Sequence, residues 1–291
     1  MNDKLGLARL IVAFFGENLV NEMHNVLTKK FCSNKQIQAG IYLNGDKRKV
    51  KRAIKQYRNK DGSAIWDRKY RKGLWNPDEP IEYSFDGSLT SNQKEFVHLA
   101  FEYYRNFTCL NFESVDDDHF DYRIVFRSLK QEGCNANLGR GEKHGAAQFI
   151  NLGSSCFHVG AITHEIGHAL GLIHEHQRPD RDNYVAIFWW NIEPDYIFAF
   201  EMDKSHHNYT TLGLPYDYGS IMHYSGHLYG LYQFFSLPTK QTIWTKKQAY
   251  QLTIGMLTEV SFYDLKGLNM VYCAELLAKG STLVIEIIFD I

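Results

Sequence analysis

The chain has 291 residues, enough for one large or two modest domains, and its 44% hydrophobic and 22% charged residues are typical of a globular protein. Its 32 basic and 33 acidic residues give a net charge of −1, which argues against nucleic acid or an anionic membrane as a partner. The sequence has no stretch of 18 apolar residues, so we predict no membrane-spanning helix.

The N-terminal part of the chain allows two interpretations. Residues 5–15 (LGLARLIVAFF) are apolar except for Arg9, as in the amphipathic helix of a pro-segment. The alternative is a signal-peptide core, which an internal charge and the lack of a clean cleavage site make a poor one. The chain then turns basic between residues 47 and 72, and runs of charge are usually solvated linkers. We therefore predict regular elements after this linker.

Strand and helix patterns follow the linker. Ile81–Phe85 alternates in polarity like a half-buried strand. Residues 91–107 carry apolar side chains at helical spacing, and Thr90 with Gln93 forms a capping-box pattern at the start of this helix. The apolar positions that we assign to its buried face are Phe96, Leu99, Ala100, Tyr103, Tyr104 and Phe107.

Two further strands are predicted at Asp121–Phe126 and Gln148–Leu152. The second is a candidate sheet edge, where an extended substrate can add its backbone as a further strand. Strands mixed with helices predict the α+β class.

Residues 164–174 read HEIGHALGLIH and place ionisable side chains among core residues. His164 and His168 lie four positions apart, so on a helix they share one face and can bind one zinc ion. Glu165 stands next to the first histidine, where it can hold a water molecule and take its proton. The five fixed letters match by chance on the order of once in three million positions, which argues against an ordinary core helix.

Gly171 extends the zinc motif. Glycine can end a helix in the left-handed conformation, and a chain that turns back there can bring His174 to the metal as a third ligand. Three nitrogen ligands leave one position open for water, as in catalytic zinc sites. Further along, YGSIMHYSG (218–226) contains Met222, whose buried thioether would form an apolar floor, and Tyr224, whose phenol oxygen can reach the metal.

These motifs resemble those of the astacin family of zinc endopeptidases, one of the metzincins. The resemblance runs from about Leu74 to Cys273 and includes the stretches CNANLGR, VGAITHEIGHALG, NIEPDY, PYDYGSIMHY and DLKGLNMVYC. Other metzincins share the three histidines but usually lack Glu175 after the third histidine and Tyr224 two residues after the methionine.

The resemblance implies a two-lobed fold. A twisted, mixed but mostly parallel sheet with two long helices would lie above the cleft, and an irregular lobe with the methionine turn would lie below it. The resemblance also implies one zinc ion per chain, bound by His164, His168 and His174. Glu165 would be the general base, and Tyr224 an extra ligand that swings away to stabilise the tetrahedral intermediate.

The chain has five cysteines, and sequence alone allows several pairings. The resemblance implies the pairs Cys109–Cys273 and Cys134–Cys156. Cys32 is left over, and we interpret it as a free thiol. Disulfides form in oxidising compartments, so the pairs imply secretion despite the unconvincing signal peptide. Two glycosylation sequons, at Asn106 and Asn208, fit a secreted chain.

The first fifty residues resemble the pro-segment of the family. Members are held latent by an aspartate in a Phe-x-Gly-Asp motif, which takes the place of water on the zinc. Residues 43–46 read LNGD, with Leu43 where the family has phenylalanine. Asp46 is therefore the candidate latency switch, and the alternative is that it only occupies a turn.

Processing is predicted at the basic run. KVKR at 49–52 offers a site for a trypsin- or furin-like protease, with Arg58 and Lys60 as competing sites. In the family, the freed N-terminus docks near the glutamate that corresponds to Glu175. The predicted organisation is a pro-segment at 1–52, a peptidase domain at 53–273 and a tail at 274–291.

We therefore predict a secreted zinc endopeptidase, made as a latent zymogen, that cleaves protein or peptide substrates. One alternative is a catalytically silent, secreted protein that binds zinc or matrix, against which Glu165 argues because a silent protein needs no base. The other is an intracellular structural domain with incidental histidines, which would keep its cysteines reduced.

Overall fold

The structure, a computed structural model, describes residues 63–66, 73–116, 122–129, 133–141, 147–202, 209–228 and 240–273. Its strands are β1 Ser63–Trp66, β2 Ile81–Phe85, β3 Phe112–Ser114, β4 Ile124–Arg127, β5 Asn135–Ala136, β6 Gln148–Asn151, β7 Val185–Ile187, β8 Tyr209–Thr211 and β9 Ile243–Thr245. Its α-helices are α1 Ser91–Phe107, α2 Val159–Ala169 and α3 Phe262–Leu268. No helix within these ranges is long and apolar enough to cross a membrane.

The main sheet has five strands in the order β3-β2-β4-β6-β5. The first four are parallel to their neighbours, and β5 is antiparallel to β6. Helix α1 connects the parallel neighbours β2 and β3, as a parallel pair requires a crossover. Two antiparallel ribbons, β1 with β8 and β7 with β9, lie outside this sheet. The predicted α+β class with a mixed, mostly parallel sheet is confirmed.

The prediction that Gln148–Leu152 is a sheet edge is wrong. Strand β6, at Gln148–Asn151, pairs with β4 on one side and with β5 on the other. Asn135 lies opposite Asn151, and Ala136 lies opposite Ile150. The edge is therefore the two-residue strand β5, which is too short for its alternation to be read from the sequence.

Helix α1 begins at the predicted capping box. The Thr90 hydroxyl accepts a hydrogen bond from the Gln93 N–H, and the Gln93 side chain accepts one from the Thr90 N–H. The capping box thus gives partners to two of the N–H donors that the start of a helix leaves unsatisfied.

The predicted buried face of α1 is only partly correct. The structure buries Val97, Ala100, Phe101 and Tyr104, whereas Leu99 and Phe107 are 45% and 44% exposed. Apolar residues form two adjacent stripes on this helix, and either stripe satisfies the helical period. Phe101 stacks on Phe112 of β3 at 4.2 Å between ring centroids, and this contact selects the stripe that faces the sheet.

Both pairs of cysteines implied by the resemblance form disulfides. Cys109, just after α1, is bonded to Cys273, and Cys134, beside β5, is bonded to Cys156, just before α2. The hydroxyl of Tyr104 in α1 also donates to the carbonyl oxygen of Thr163 in α2 at 2.6 Å. These links hold α2 in register with α1 and with the edge of the sheet.

A second buried cluster lies in the less regular half of the chain. It comprises Val185, Ile192, Phe200, Tyr216, Tyr218, Ile243 and Ile254. Tyr224 packs against this cluster and is partly buried there. The segment around Leu257 approaches α2 so closely that a Cβ atom at Gly160 would clash with the Leu257 carbonyl. Helix α2 is thus contacted both by α1 and by this irregular half.

Candidate metal centre

Helix α2 carries the first two histidines and ends where the motif predicts. At its start, the His158 ring accepts a hydrogen bond from the Ala161 N–H at 3.2 Å. At its end, Gly171 has a φ of +97°, and its N–H donates to the His168 carbonyl at 2.8 Å. The Leu172 N–H donates to the Gly167 carbonyl at 2.9 Å, which completes a Schellman motif. The left-handed glycine therefore turns the chain back toward the helix.

The turn brings the third histidine to the first two. One ring nitrogen from each of His164, His168 and His174 lies within 4.8 Å of the other two. The Nε2 atoms of His168 and His174 are 3.1 Å apart. Two ligands bound to one zinc at 2.0–2.1 Å in tetrahedral geometry lie about 3.3 Å apart, so this spacing fits a shared metal ion.

The hydrogen bonds of the three imidazole rings determine which nitrogen of each ring can bind a metal ion. Each Nδ1 atom faces an oxygen that can only accept, so each Nδ1 carries the proton and each Nε2 carries a lone pair. The acceptors are the Ile221 carbonyl for His164 (2.6 Å), the Leu172 carbonyl for His168 (2.8 Å) and Gln177 Oε1 for His174 (3.3 Å). Such partners orient metal-binding imidazoles and increase their basicity.

Burial keeps these imidazoles neutral. It lowers the pKa of His164, and together with neighbouring histidines it lowers the pKa of His168 to about 3 and that of His174 well below its usual value. A neutral imidazole is the form that binds a metal. Two Nε2 lone pairs that face each other at 3.1 Å cannot hydrogen-bond, so a shared cation is the group that suits them.

Glu165, which follows His164 in helix α2, is a buried carboxylate. Its side chain is 4% exposed, and its Oε2 atom has no hydrogen-bond partner among the described residues. Burial raises the pKa of Glu165 to about 8, whereas a cation nearby would favour the charged form. An oxygen without a partner in this position is available to accept a proton from a water molecule.

Met222 packs directly beneath the zinc-binding helix. It is 1% exposed, and a Cβ atom added to Gly167 would lie 3.0 Å from its sulfur. Its carbonyl oxygen accepts a hydrogen bond from the Glu175 N–H at 3.0 Å. The methionine thus links the helix that carries two histidines to the turn that follows the third, and it gives the site an apolar floor.

Tyr224 lies beside the third histidine. Its ring centroid is 4.3 Å from that of His174 and 4.1 Å from that of His176. The structure therefore brings Tyr224 to the histidine cluster, and its role as a metal ligand remains a prediction.

Glu175 is buried, and its carboxylate is engaged by Arg178 and by the main chain of Asp217. Its Oε1 atom accepts hydrogen bonds from Arg178 Nη1 at 2.8 Å and from the Asp217 N–H at 2.7 Å. Glu175 lines a cavity of about 30 Å³, together with Arg178, Asp217 and Asp264. Several carboxylates thus surround a space that holds one or two small polar groups.

The remaining predicted residues divide into two groups. Asn106 is exposed in the last turn of α1. Asp46, Asn208 and Cys32 lie outside the described residues.

Sequence reasoning missed the groups that orient the three histidines. Gln177 is the one side chain among them. It lies three residues after His174, so its amide could have been predicted from the sequence as a hydrogen-bond partner of that ring. The carbonyls of Ile221 and Leu172 leave no signal in the sequence, because every residue has a carbonyl.

Three comparisons bear on this site. The family model for astacin, a family of peptidases, matches residues 67–273. Zinc metalloproteinase dpy-31 from Brugia malayi is 42% identical over 205 residues, which cover 70% of this chain and 33% of that protein. Zinc metalloproteinase nas-36 from the same organism is 38% identical over 194 residues, 67% of this chain and 31% of that protein. The chain therefore spans about a third of the length of these relatives.

Among solved structures, the chain is similar to high choriolytic enzyme 1, a hatching enzyme zinc-protease from the medaka fish Oryzias latipes. The TM-score is 0.58 at 29% sequence identity, and the match covers 72% of this chain and 95% of that one. The likeness therefore extends over most of this chain and nearly all of that one.

Proposed function

Because the chain belongs to the astacin family of zinc peptidases, we propose that it is a zinc-dependent endopeptidase that hydrolyses internal peptide bonds of protein substrates. The observation that carries this proposal is the convergence of ring nitrogens from three histidines, the first of which is followed in the chain by Glu165, whose buried Oε2 has no partner within the described part of the chain. His164, His168 and His174 would hold the zinc. The names of the relatives, two zinc metalloproteinases and a zinc-protease, support the same activity.

Zinc, when bound, polarises the scissile carbonyl and acidifies a water molecule. Glu165 accepts a proton from the attacking water on its carboxylate and then donates it to the nitrogen of the leaving amine. Tyr224 donates a hydrogen bond to the carbonyl oxygen as that oxygen gains negative charge. Strand β5, as the outer strand of the sheet, can align the substrate backbone by adding it as a further strand.

Removal of the metal tests the function. We expect that a chelator abolishes cleavage of proteome-derived peptides by the trypsin-activated full chain, and that added zinc restores cleavage. The physical reason is that the scissile carbonyl must be polarised by a Lewis acid, and the three histidines by themselves do not supply one. A protein that binds one zinc per chain and cleaves no peptide would be the silent zinc-binding alternative, and cleavage that survives complete removal of metal would contradict the proposal.

We further propose that the protein is secreted. The disulfides Cys109–Cys273 and Cys134–Cys156 support this, because such bonds persist in oxidising compartments. Mass spectrometry of the protein from its native source, without reduction, tests it: reduced cysteines would favour the intracellular alternative. The same spectra report whether Asn106 and Asn208 carry glycans.

A zymogen mechanism is also proposed. A trypsin- or furin-like protease would cut near Lys49–Arg52, and the new N-terminal ammonium would enter the cavity beside Glu175. In support, the cavity of about 30 Å³ is lined by the carboxylates of Glu175, Asp217 and Asp264 and by one guanidinium. A buried ammonium is stable where opposite charges surround it.

The latency switch yields a prediction of its own. A carboxylate of Asp46 on the metal would displace the attacking water, so Asp46→Ala should raise the activity of the uncleaved precursor about tenfold or more. The measurement is peptide hydrolysis by full-length precursors whose Lys49–Arg52 run has been made resistant to cleavage. Asp61→Ala in the same background is the control. If the Asp46 and Asp61 variants are equally inactive, Asp46 is only a turn residue.

A further inference from the structure

Tyr216 and His223 form a buried hydrogen-bonded pair next to Tyr224. The Tyr216 hydroxyl and His223 Nε2 are 2.7 Å apart, and His223 Nδ1 lies 2.7 Å from the carbonyl oxygen of Tyr224. Tyr216 and His223 are 6% and 1% exposed. His223 is not one of the three histidines of the cluster, and neither of these two hydrogen bonds involves a histidine of the cluster.

The direction of both bonds follows from the acceptor at one end. A carbonyl oxygen can only accept, so His223 Nδ1 carries a proton and donates it to Tyr224. With that proton on Nδ1, the imidazole has a lone pair on Nε2, which lies 2.7 Å from the Tyr216 hydroxyl. Tyr216 must therefore donate its hydroxyl proton to Nε2. The result is a chain of donors that runs from Tyr216 through His223 to the main chain of Tyr224.

Tyr216 itself is held firmly. Its ring stacks on Tyr184 at 4.6 Å between centroids with an angle of 11° between planes. The Arg178 guanidinium lies 5.4 Å from the centroid of the Tyr216 ring. The same guanidinium donates to the carbonyls of Leu214 and Pro215, at 3.0 and 2.9 Å, which fixes the segment that leads into Tyr216. The first donor of the chain is thus anchored to a rigid support.

Tyr224 is the end of this arrangement that lies beside the histidine cluster. It is partly exposed, and its ring contacts His174, His176 and Phe200 with centroid distances of 4.3, 4.1 and 5.7 Å. A ring that must reach the substrate carbonyl in the transition state depends on where its main chain is held. The hydrogen bond from His223 is one contact that holds the Tyr224 carbonyl in place.

We propose that Tyr216 is a positioning residue for Tyr224, which it holds through His223. This inference rests on the proposed peptidase function, in which Tyr224 stabilises the charge that develops on the carbonyl oxygen. Without the Tyr216 hydroxyl, Nε2 of His223 would be a buried acceptor with no donor, and the ring would turn to find one. Its Nδ1–H would then leave the Tyr224 carbonyl, and the phenol would lose its alignment.

The test compares two substitutions that each remove one phenol hydroxyl. Tyr216→Phe deletes the donor to His223. Tyr218→Phe deletes a hydroxyl that is similarly buried, at 7% exposure, in the same cluster, but that donates to the Tyr184 carbonyl at 3.0 Å. In the zinc-loaded, activated full chain, Tyr216→Phe should lower kcat about tenfold at unchanged KM and zinc content, because small misplacements of a catalytic group reduce rate strongly. Tyr218→Phe should stay within about twofold.

A double-mutant cycle with Tyr224→Phe separates positioning from general damage. If Tyr216 acts through Tyr224, then Tyr216→Phe should lower kcat no further in the Tyr224→Phe protein. Independent, multiplying losses of kcat would overturn the proposal, as would equal losses in the Tyr216 and Tyr218 variants. Should Tyr216→Phe fail to fold, His223→Asn replaces it, since the asparagine amide can stand in for Nδ1–H but offers Tyr216 no ring nitrogen.

A measurement that does not depend on catalysis tests the positioning role of Tyr216 separately from the proposed peptidase function. In protein with labelled tyrosines, the nuclear magnetic resonance signals of the Tyr224 ring should shift in the zinc-loaded Tyr216→Phe variant and stay in place in Tyr218→Phe. Unmoved Tyr224 signals in both variants would overturn the positioning role. If the signals move but the unmutated protein cleaves no peptide, the peptidase function fails while the contact itself stands.

Discussion

Replacement of Glu165 with glutamine is expected to leave the zinc content of the protein unchanged and to lower peptide cleavage by about 10²–10⁴-fold. The amide has the shape of the carboxylate but cannot accept a proton from water. The three histidines keep their own partners, the Ile221 and Leu172 carbonyls and the Gln177 side chain, so metal binding does not depend on Glu165.

The measurement is kcat/KM on one peptide substrate, with zinc determined in the same samples. Glu102→Gln is the matched control, because Glu102 is exposed on α1, where it pairs with nearby Arg105. We expect that the control keeps full activity. Full cleavage by the zinc-loaded Glu165→Gln protein would remove Glu165 from the mechanism.

The second large effect is expected on stability. Arg178→Met should lower the free energy of unfolding by about 3–5 kcal/mol, because it leaves the buried carboxylate of Glu175 without its ion-pair partner. The two side chains are 4% and 9% exposed, and their charged atoms are 2.8 Å apart. Arg178 also donates to Asp180, Leu214 and Pro215, so the loss would spread to the segment that leads into the methionine turn.

Denaturant unfolding of the zinc-loaded chain measures this effect, with Arg105→Met as the matched control. Arg105 pairs with Glu102 at 3.0 Å, but the side chains are 30% and 55% exposed, and such pairs contribute about 0–1 kcal/mol. The further substitution Glu175→Leu in the Arg178→Met protein should recover part of the loss, since it removes the unpaired charge. Equal losses for Arg178→Met and Arg105→Met would show that burial of the pair is unimportant.

Several local features can be predicted because neighbouring residues determine them. The capping box of Thr90 and Gln93 and the helix end at Gly171 depend on groups a few residues apart, and the structure has both. The predicted strand Ile81–Phe85 has the same bounds in the structure. The pairing of the cysteines requires more than local rules, and its prediction depends on the resemblance of whole motifs to the astacin family.

Other features depend on contacts between distant segments. Helix α1 has two apolar stripes of equal period, and only the position of Phe112 in β3 decides that Phe101 is buried while Leu99 is exposed. Strand β6 looks like an edge until the two residues of β5 pair with it. In both cases the sequence allows two arrangements of similar local energy, and burial against a partner selects one.

The sequence by itself determined which chemistry the protein carries: imidazoles at helical spacing, a carboxylate beside the first of them, and a glycine that lets the chain turn back to the third. Only the tertiary structure decided how these side chains are oriented. The ring of His164 is oriented by the carbonyl of Ile221, 57 positions further along the chain. The carbonyl of Tyr224 accepts a hydrogen bond from His223, whose other ring nitrogen is hydrogen-bonded to the Tyr216 hydroxyl. Residue type determines which atoms can bind a metal or move a proton, whereas their direction depends on acceptors, many of them main-chain carbonyls, that folding brings together and that no residue type marks.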